Sequence, residues 1–91
     1  MVELSPEIKK HVVGKAKEEL NDIISYNLIY EQALAAGNRK LARMINRIAE
    51  NEYEHAEYLY AYLKDRDALT DAEHSELREL WKVVDRIFDD E

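Results

Sequence analysis

The chain has no cysteine, one proline, two glycines and a single tryptophan among its 91 residues. Without cysteine there is no disulfide, thiolate zinc site, iron–sulfur cluster or cysteine nucleophile, so any metal chemistry must use carboxylates and imidazoles. Scarce glycine and proline argue against a strand-rich fold, which needs frequent turn residues. No apolar run approaches the roughly 18 to 20 residues needed to cross a bilayer, and Met1-Val2-Glu3-Leu4-Ser5-Pro6 does not read as a signal peptide, so a cytoplasmic location and no membrane partner are expected. Positive charge is also short. The formal net charge of -7, with acids and bases interleaved, argues against a phosphate backbone as partner, because that binding depends on Lys and Arg neutralising phosphates.

What is present is 46% hydrophobic and 36% charged residues, the mixture of long amphipathic helices. The expected fold class is all-α in a single domain, residues 1–91. Ser5-Pro6-Glu7 opens a helix with a capping hydroxyl, a first-turn proline and an acid facing the positive end of the dipole. That helix is expected to run from about residue 6 to 36, where Gly37-Asn38 can take the left-handed conformation that closes it. A second helix is expected over about 39–65. Thr70-Asp71-Ala72-Glu73 has the spacing of a capping box for a third over about 71–89, with Leu77, Leu80, Trp81, Val84, Ile87 and Phe88 on one face.

The first two helices, joined by a very short turn, must form an antiparallel hairpin. Two helices of roughly 40 Å and a shorter third cannot bury all their apolar faces. A second hairpin would complete a bundle, so at least a homodimer, or a higher homo-oligomer, is expected; at this chain length a lone core is only marginally stable.

Along helix one the three-four spacing reads Val12, Ala16, Glu19, Ile23, Tyr26, Tyr30, Ala33, with one acid interrupting an apolar stripe. Along helix two it reads Leu41, Ile45, Ile48, Glu52, His55, Leu59, Tyr62, interrupted by an acid and an imidazole. All three polar residues are expected to point inward. Glu19 lies 18 residues before Gly37 and the Glu52/His55 pair 15 to 18 after it, so the three share one height in the hairpin. Buried carboxylates need compensation, and no lysine or arginine is expected to be buried at matching positions. A bound cation would supply it; an ordinary polar core network is the alternative. Glu-x-x-His places both side chains on one helix face, so that Glu52 can bridge two ions while His55 ligates one.

Ala49-Glu50-Asn51-Glu52-Tyr53-Glu54-His55-Ala56 closely resembles the Ala-Glu-Asn-Glu-x-Glu-His-Ala stretch of rubrerythrins, in the ferritin-like superfamily. In that family a helix-one Glu precedes a Tyr by seven residues and the Glu-x-x-His glutamate by about 33; here Glu19 precedes Tyr26 by seven and Glu52 by 33. The resemblance covers Lys17 to about Leu63 without a gap. It implies a ferritin-like four-helix bundle, completed here by homodimerisation, with a di-iron or manganese site that reacts with oxygen or peroxide. Glu19 would be the terminal carboxylate, Glu52 the bridge and His55 the nitrogen ligand. Tyr26 could hydrogen-bond a site carboxylate and orient it.

Two departures bear on function. Rubrerythrins carry a second Glu and a second Glu-x-x-His on two further helices, whereas residues 64–91 hold no Glu-x-x-His, and with no cysteine in residues 1–91 electron transfer through a rubredoxin-type iron domain is not expected of this chain. The site would therefore be shared by two chains, as in the encapsulated ferritins, which the chain also resembles in its Glu18-Glu19 pair and small third helix. Against an encapsulin shell as partner stand Ser25-Tyr26 where that family has Trp-Tyr, the longer spacing to the second glutamate, and no Gly-Ser-Leu-type tail after Phe88. The expected activity is oxidation of Fe(II) by oxygen or peroxide, a ferroxidase-like reaction. Rubrerythrin-like peroxide reduction, or a non-catalytic metal-stabilised assembly module, are the alternatives. Glu18, Asp22, Glu50 and Glu54 could form an acidic access path or simply a solvated face. His11, His74 and the remaining tyrosines read as surface or interface residues.

Overall fold

The computed structural model describes residues 4–89. Met1-Val2-Glu3, part of the stretch read as no signal peptide, and the end of the tail, residues 90–91, lie outside the described residues. Three helices account for the fold: α1 Pro6–Ala35, α2 Arg39–Asp65 and α3 Asp71–Asp89, with no strand among the described residues. The fold is all-α.

Each helix begins where a side chain can take up an orphan backbone donor. The Ser5 hydroxyl accepts from the Ile8 amide at 3.1 Å and the Asn38 carboxamide from Leu41 at 3.1 Å. At α3 the capping box closes in both directions: Glu73 N–H donates to the Thr70 hydroxyl at 3.1 Å, and Thr70 N–H to the Glu73 carboxylate at 2.9 Å.

The turn after α1 divides its work between two residues. Only Gly37 is left-handed, at φ 74°, while Gly37 N–H donates to Leu34 C=O and Asn38 N–H to Ala33 C=O, the paired bonds of a Schellman ending. Asn38 stays at φ -87° and serves instead as the cap of α2. The same ending recurs after α2, where Asp67 N–H donates to Lys64 C=O and Ala68 N–H to Leu63 C=O. There the left-handed residue is Asp67, at φ 50°.

The hairpin packs tightly because the α2 face turned to α1 is mostly small: Ala42, Ile45, Ala49, Ala56 and Leu63 are buried. This is a rotation of the expected stripe. Of the seven residues in that stripe only Ile45 is buried, while His55 and Tyr62 are exposed. On α1 the expected stripe holds better, with Ala16, Glu19, Ile23 and Ala33 buried and Val12, Tyr26 and Tyr30 half-buried.

Helix α3 lies alongside α1, its Leu77 and Val84 joining Leu20 and Ile23 in the core, and ion pairs Lys9–Glu73 (2.9 Å) and Lys17–Glu76 (2.7 Å) fix its register. It meets α2 through long aromatic side chains: Tyr53 stands edge-on to Trp81 and Phe88, each at 5.0 Å between ring centroids. One flank of the hairpin is thus covered by α3. On the other flank the three-four spacing leaves Ile8 and Ile29 exposed in the Glu19 stripe, and Met44 and Tyr62 exposed in the Glu52 stripe.

Candidate metal centre

Glu19 sits mid-way along α1, and Glu52 and His55 one turn apart on α2. Antiparallel packing brings them together: each residue offers one ligand atom, and these atoms all lie within 4.8 Å of one another. His55 Nδ1 is 3.9 Å from Glu19 Oε2 and 3.9 Å from Glu52 Oε1. An ion with bonds of about 2.0–2.2 Å would hold its ligands somewhat closer than this, within reach of a side-chain rotation.

The three residues form a gradient of burial. Glu19 is 6% exposed, Glu52 is intermediate, and the His55 side chain is 57% exposed on the open flank. His55 therefore does not point into the core of its own hairpin as the spacing suggested. The small α2 residues that face α1 turn the Glu52 stripe outward, so that the cluster straddles the hairpin core and its uncovered side.

The electrostatics are unfavourable in the chain alone. Glu19 Oε2 is buried and has no hydrogen-bond partner, a costly state for a carboxylate oxygen. Glu52 is pushed up to about 7, chiefly because its carboxyl is hydrogen-bonded towards Glu19, then by burial and by the negative charges of Glu19 and Asp22; Lys15 opposes the shift. With both carboxylates ionised, Glu19 Oε2 has no donor; a proton held on Glu52 would ease the repulsion between the two groups. A divalent cation would satisfy the same oxygens without that proton. Two carboxylates and an imidazole, with no thiolate, form a donor set suited to iron or manganese. On these grounds the residues fit a metal ion.

Lys15 was not anticipated. One turn before Glu19 on α1, it brings Nζ within 3.8 Å of Glu19 Oε1 while remaining half exposed. The i,i+4 spacing could have revealed it. At that distance and exposure it leaves Glu19 Oε2 unsatisfied. Tyr26 makes no hydrogen bond to either carboxylate among the described residues; its ring lines a cavity of about 500 Å³ with Ile23, Asn27, Tyr30, Ala49 and Phe88, displaced from the cluster. Among the flanking acids, Asp22 acts on Glu52 through its charge. His11 is exposed, and His74 pairs with Tyr60. Neither belongs to the cluster.

No helix of the described residues is long and apolar enough to cross a membrane. The rubrerythrin family model matches residues 14–87, and the chain belongs to that family. The match extends into α3, well beyond the segment from Lys17 to Leu63 that carries the family's motifs. No curated protein and no solved structure matches the chain.

Proposed function

We propose that two copies of this rubrerythrin-family chain pair through their open flanks and together hold a di-iron site, at which Fe(II) is oxidised by oxygen or peroxide. The observation that carries the reading is the buried, unpartnered Glu19 Oε2 beside Glu52 and His55 on an uncovered face. Each chain brings two carboxylates and one histidine. Doubling this by a two-fold axis gives the four carboxylates and two imidazoles that helical di-iron sites use.

The chain's own residues have distinct tasks. Glu19, fixed in the core between Leu20 and Ala16, is the rigid anchor. Glu52, less buried, would be the second carboxylate to hold iron and has room to change rotamer where Glu19 does not. His55 stands on the exposed rim, where a facing copy would bury it and remove water from the site. Below pH 7, metal entry requires Glu52 to release its proton. A pair of iron ions supplies the electrons for reducing the oxidant. Manganese suits the same donors and is a second candidate occupant.

The test is oxygen consumption on adding Fe(II), with oligomeric mass recorded. We expect oxygen-dependent Fe(II) oxidation that Glu52→Ala abolishes. A wild-type chain that binds iron yet leaves it ferrous in air and peroxide would overturn the oxidase reading and leave a metal-stabilised assembly module.

A further inference from the structure

A second chemical arrangement lies behind the cluster, between α2 and α3. Tyr53 follows Glu52 directly in the chain, and its ring is 5.0 Å, edge-on, from that of Trp81. Trp81 is in turn 6.0 Å from Tyr60. The three oxidisable rings of this series are in contact, and Trp81 is the single tryptophan of the chain.

Their polar atoms are not equivalent. The Tyr53 hydroxyl donates to Asp85 at 2.9 Å, and the Tyr60 hydroxyl lies 3.0 Å from His74 Nδ1, to which it donates when that nitrogen carries no proton. Trp81 Nε1 is buried with no acceptor. A phenol that loses an electron becomes a strong acid and is stabilised when a base takes its proton. An indole that loses an electron with no acceptor nearby keeps its proton and remains the stronger oxidant. Lys64 Nζ, 5.4 Å above the Tyr60 ring, disfavours a cation there and so ties electron loss to proton loss.

We propose that Trp81 and its ring neighbours Tyr53 and Tyr60 form a one-electron relay through the core, in which Trp81 is the way station, the Tyr60–His74 pair the terminus and Tyr53 a second electron donor to Trp81. An oxidising equivalent arriving from a radical oxidant takes an electron from Trp81. Tyr60 restores Trp81 by giving it an electron and passes its phenolic proton to His74 Nδ1. An exterior thiolate then returns an electron to the Tyr60 phenoxyl and leaves as a thiyl radical, while His74 gives the phenol its proton back. The terminus is reachable: Tyr60, Trp81, Lys64, Arg78 and Lys82 line an open cavity of about 520 Å³. The relay is a property of the aromatic core and holds whether or not iron occupies the neighbouring cluster.

The experiment is pulse radiolysis of the metal-free full chain with azide radical, which oxidises Trp81 and is itself reduced to azide. The expected result is decay of the tryptophyl signal matched by growth of a tyrosyl signal, at a rate independent of protein concentration. Helical content by circular dichroism is checked on Tyr60→Phe and on Tyr53→Phe/Tyr60→Phe, and the matched growth is lost in the double variant. A transfer rate that scales with protein concentration in the unmodified chain would overturn the relay, whatever the variants do. So would undiminished tyrosyl growth in a folded double variant.

Discussion

Glu52 is where the chemistry of this chain can be read most directly from a single residue. Its carboxyl is held at about 7 by the neighbouring Glu19 and by burial, against an ordinary value of 4.5. A carboxyl raised on folding contributes stability that is fully present below 4.5 and is lost as pH rises through about 7. The metal-free chain should therefore lose stability across that interval, and Glu52→Gln should flatten the dependence; urea midpoints at several pH values check this. The three members of the cluster were legible from spacing alone, because a charged residue inside an apolar stripe stands out. The outward placement of His55 was not. Periodicity identifies a face but not which neighbour it meets, and here Ala42, Ala49 and Ala56, which contribute little to a hydrophobic pattern, decide how α2 sits on α1. Lys15 escaped notice for a different reason: as one base on a charged helix it had no distinguishing pattern until Glu19 was known to be buried.

At the scale of the helices, the boundaries follow from caps and turn residues, and these were visible in the sequence as Ser5, Gly37-Asn38 and Thr70-x-x-Glu73. What could not be read was that Asp67 closes α2 in the same left-handed conformation as Gly37 closes α1. Aspartate pays a steric penalty there that glycine does not. Opposite outcomes follow at the two equivalent turns. Gly37→Ala should destabilise the fold by about 1 kcal/mol through backbone strain alone, since an added Cβ would meet nothing within 4 Å. Asp67→Gly should be neutral or stabilise by up to about 1 kcal/mol. Thermal or urea unfolding of the two variants side by side measures both. The α3 cap has an acid signature of its own. Glu73 is lowered to about 2, first by the Thr70 amide and then by Lys9, so its contribution is complete above 4.5 and disappears as pH falls through about 2. In Glu73→Gln this part of the acid-induced loss of stability should be absent, as an acid titration followed by circular dichroism would show.

The molecule is an elongated body, 51 × 21 × 17 Å, with α3 covering one flank of the hairpin and, on the other, a surface that mixes exposed apolar residues with the candidate cluster. That asymmetry explains how an all-α chain of this size was recognisable from composition and periodicity, whereas the relation between its helices was not. Helix α3 reaches α2 through Tyr53, Tyr60, Trp81 and Phe88, and large aromatics spanning a wide gap leave no sequence signal of the distance they span. In the proposed pairing, Met44, exposed in the stripe that carries Glu52, lies in the interface. Met44→Glu should shift the oligomer towards monomer while leaving the helical content unchanged, as light scattering and circular dichroism on one sample would record. The ion pairs that hold α3 to α1, Lys9–Glu73 and Lys17–Glu76, are partly exposed and should contribute less than about 1 kcal/mol each, so α3 rests on its apolar face and not on its charges.

The most direct test of the shared site is iron content per chain after anaerobic Fe(II) loading, with oligomeric mass determined on the same sample for wild type and His55→Ala. The account predicts about one iron per chain, in a dimer or a multiple of it, and loss of that iron in the variant. Iron bound equally well by a monomer or without His55, or no iron bound at all, would contradict it.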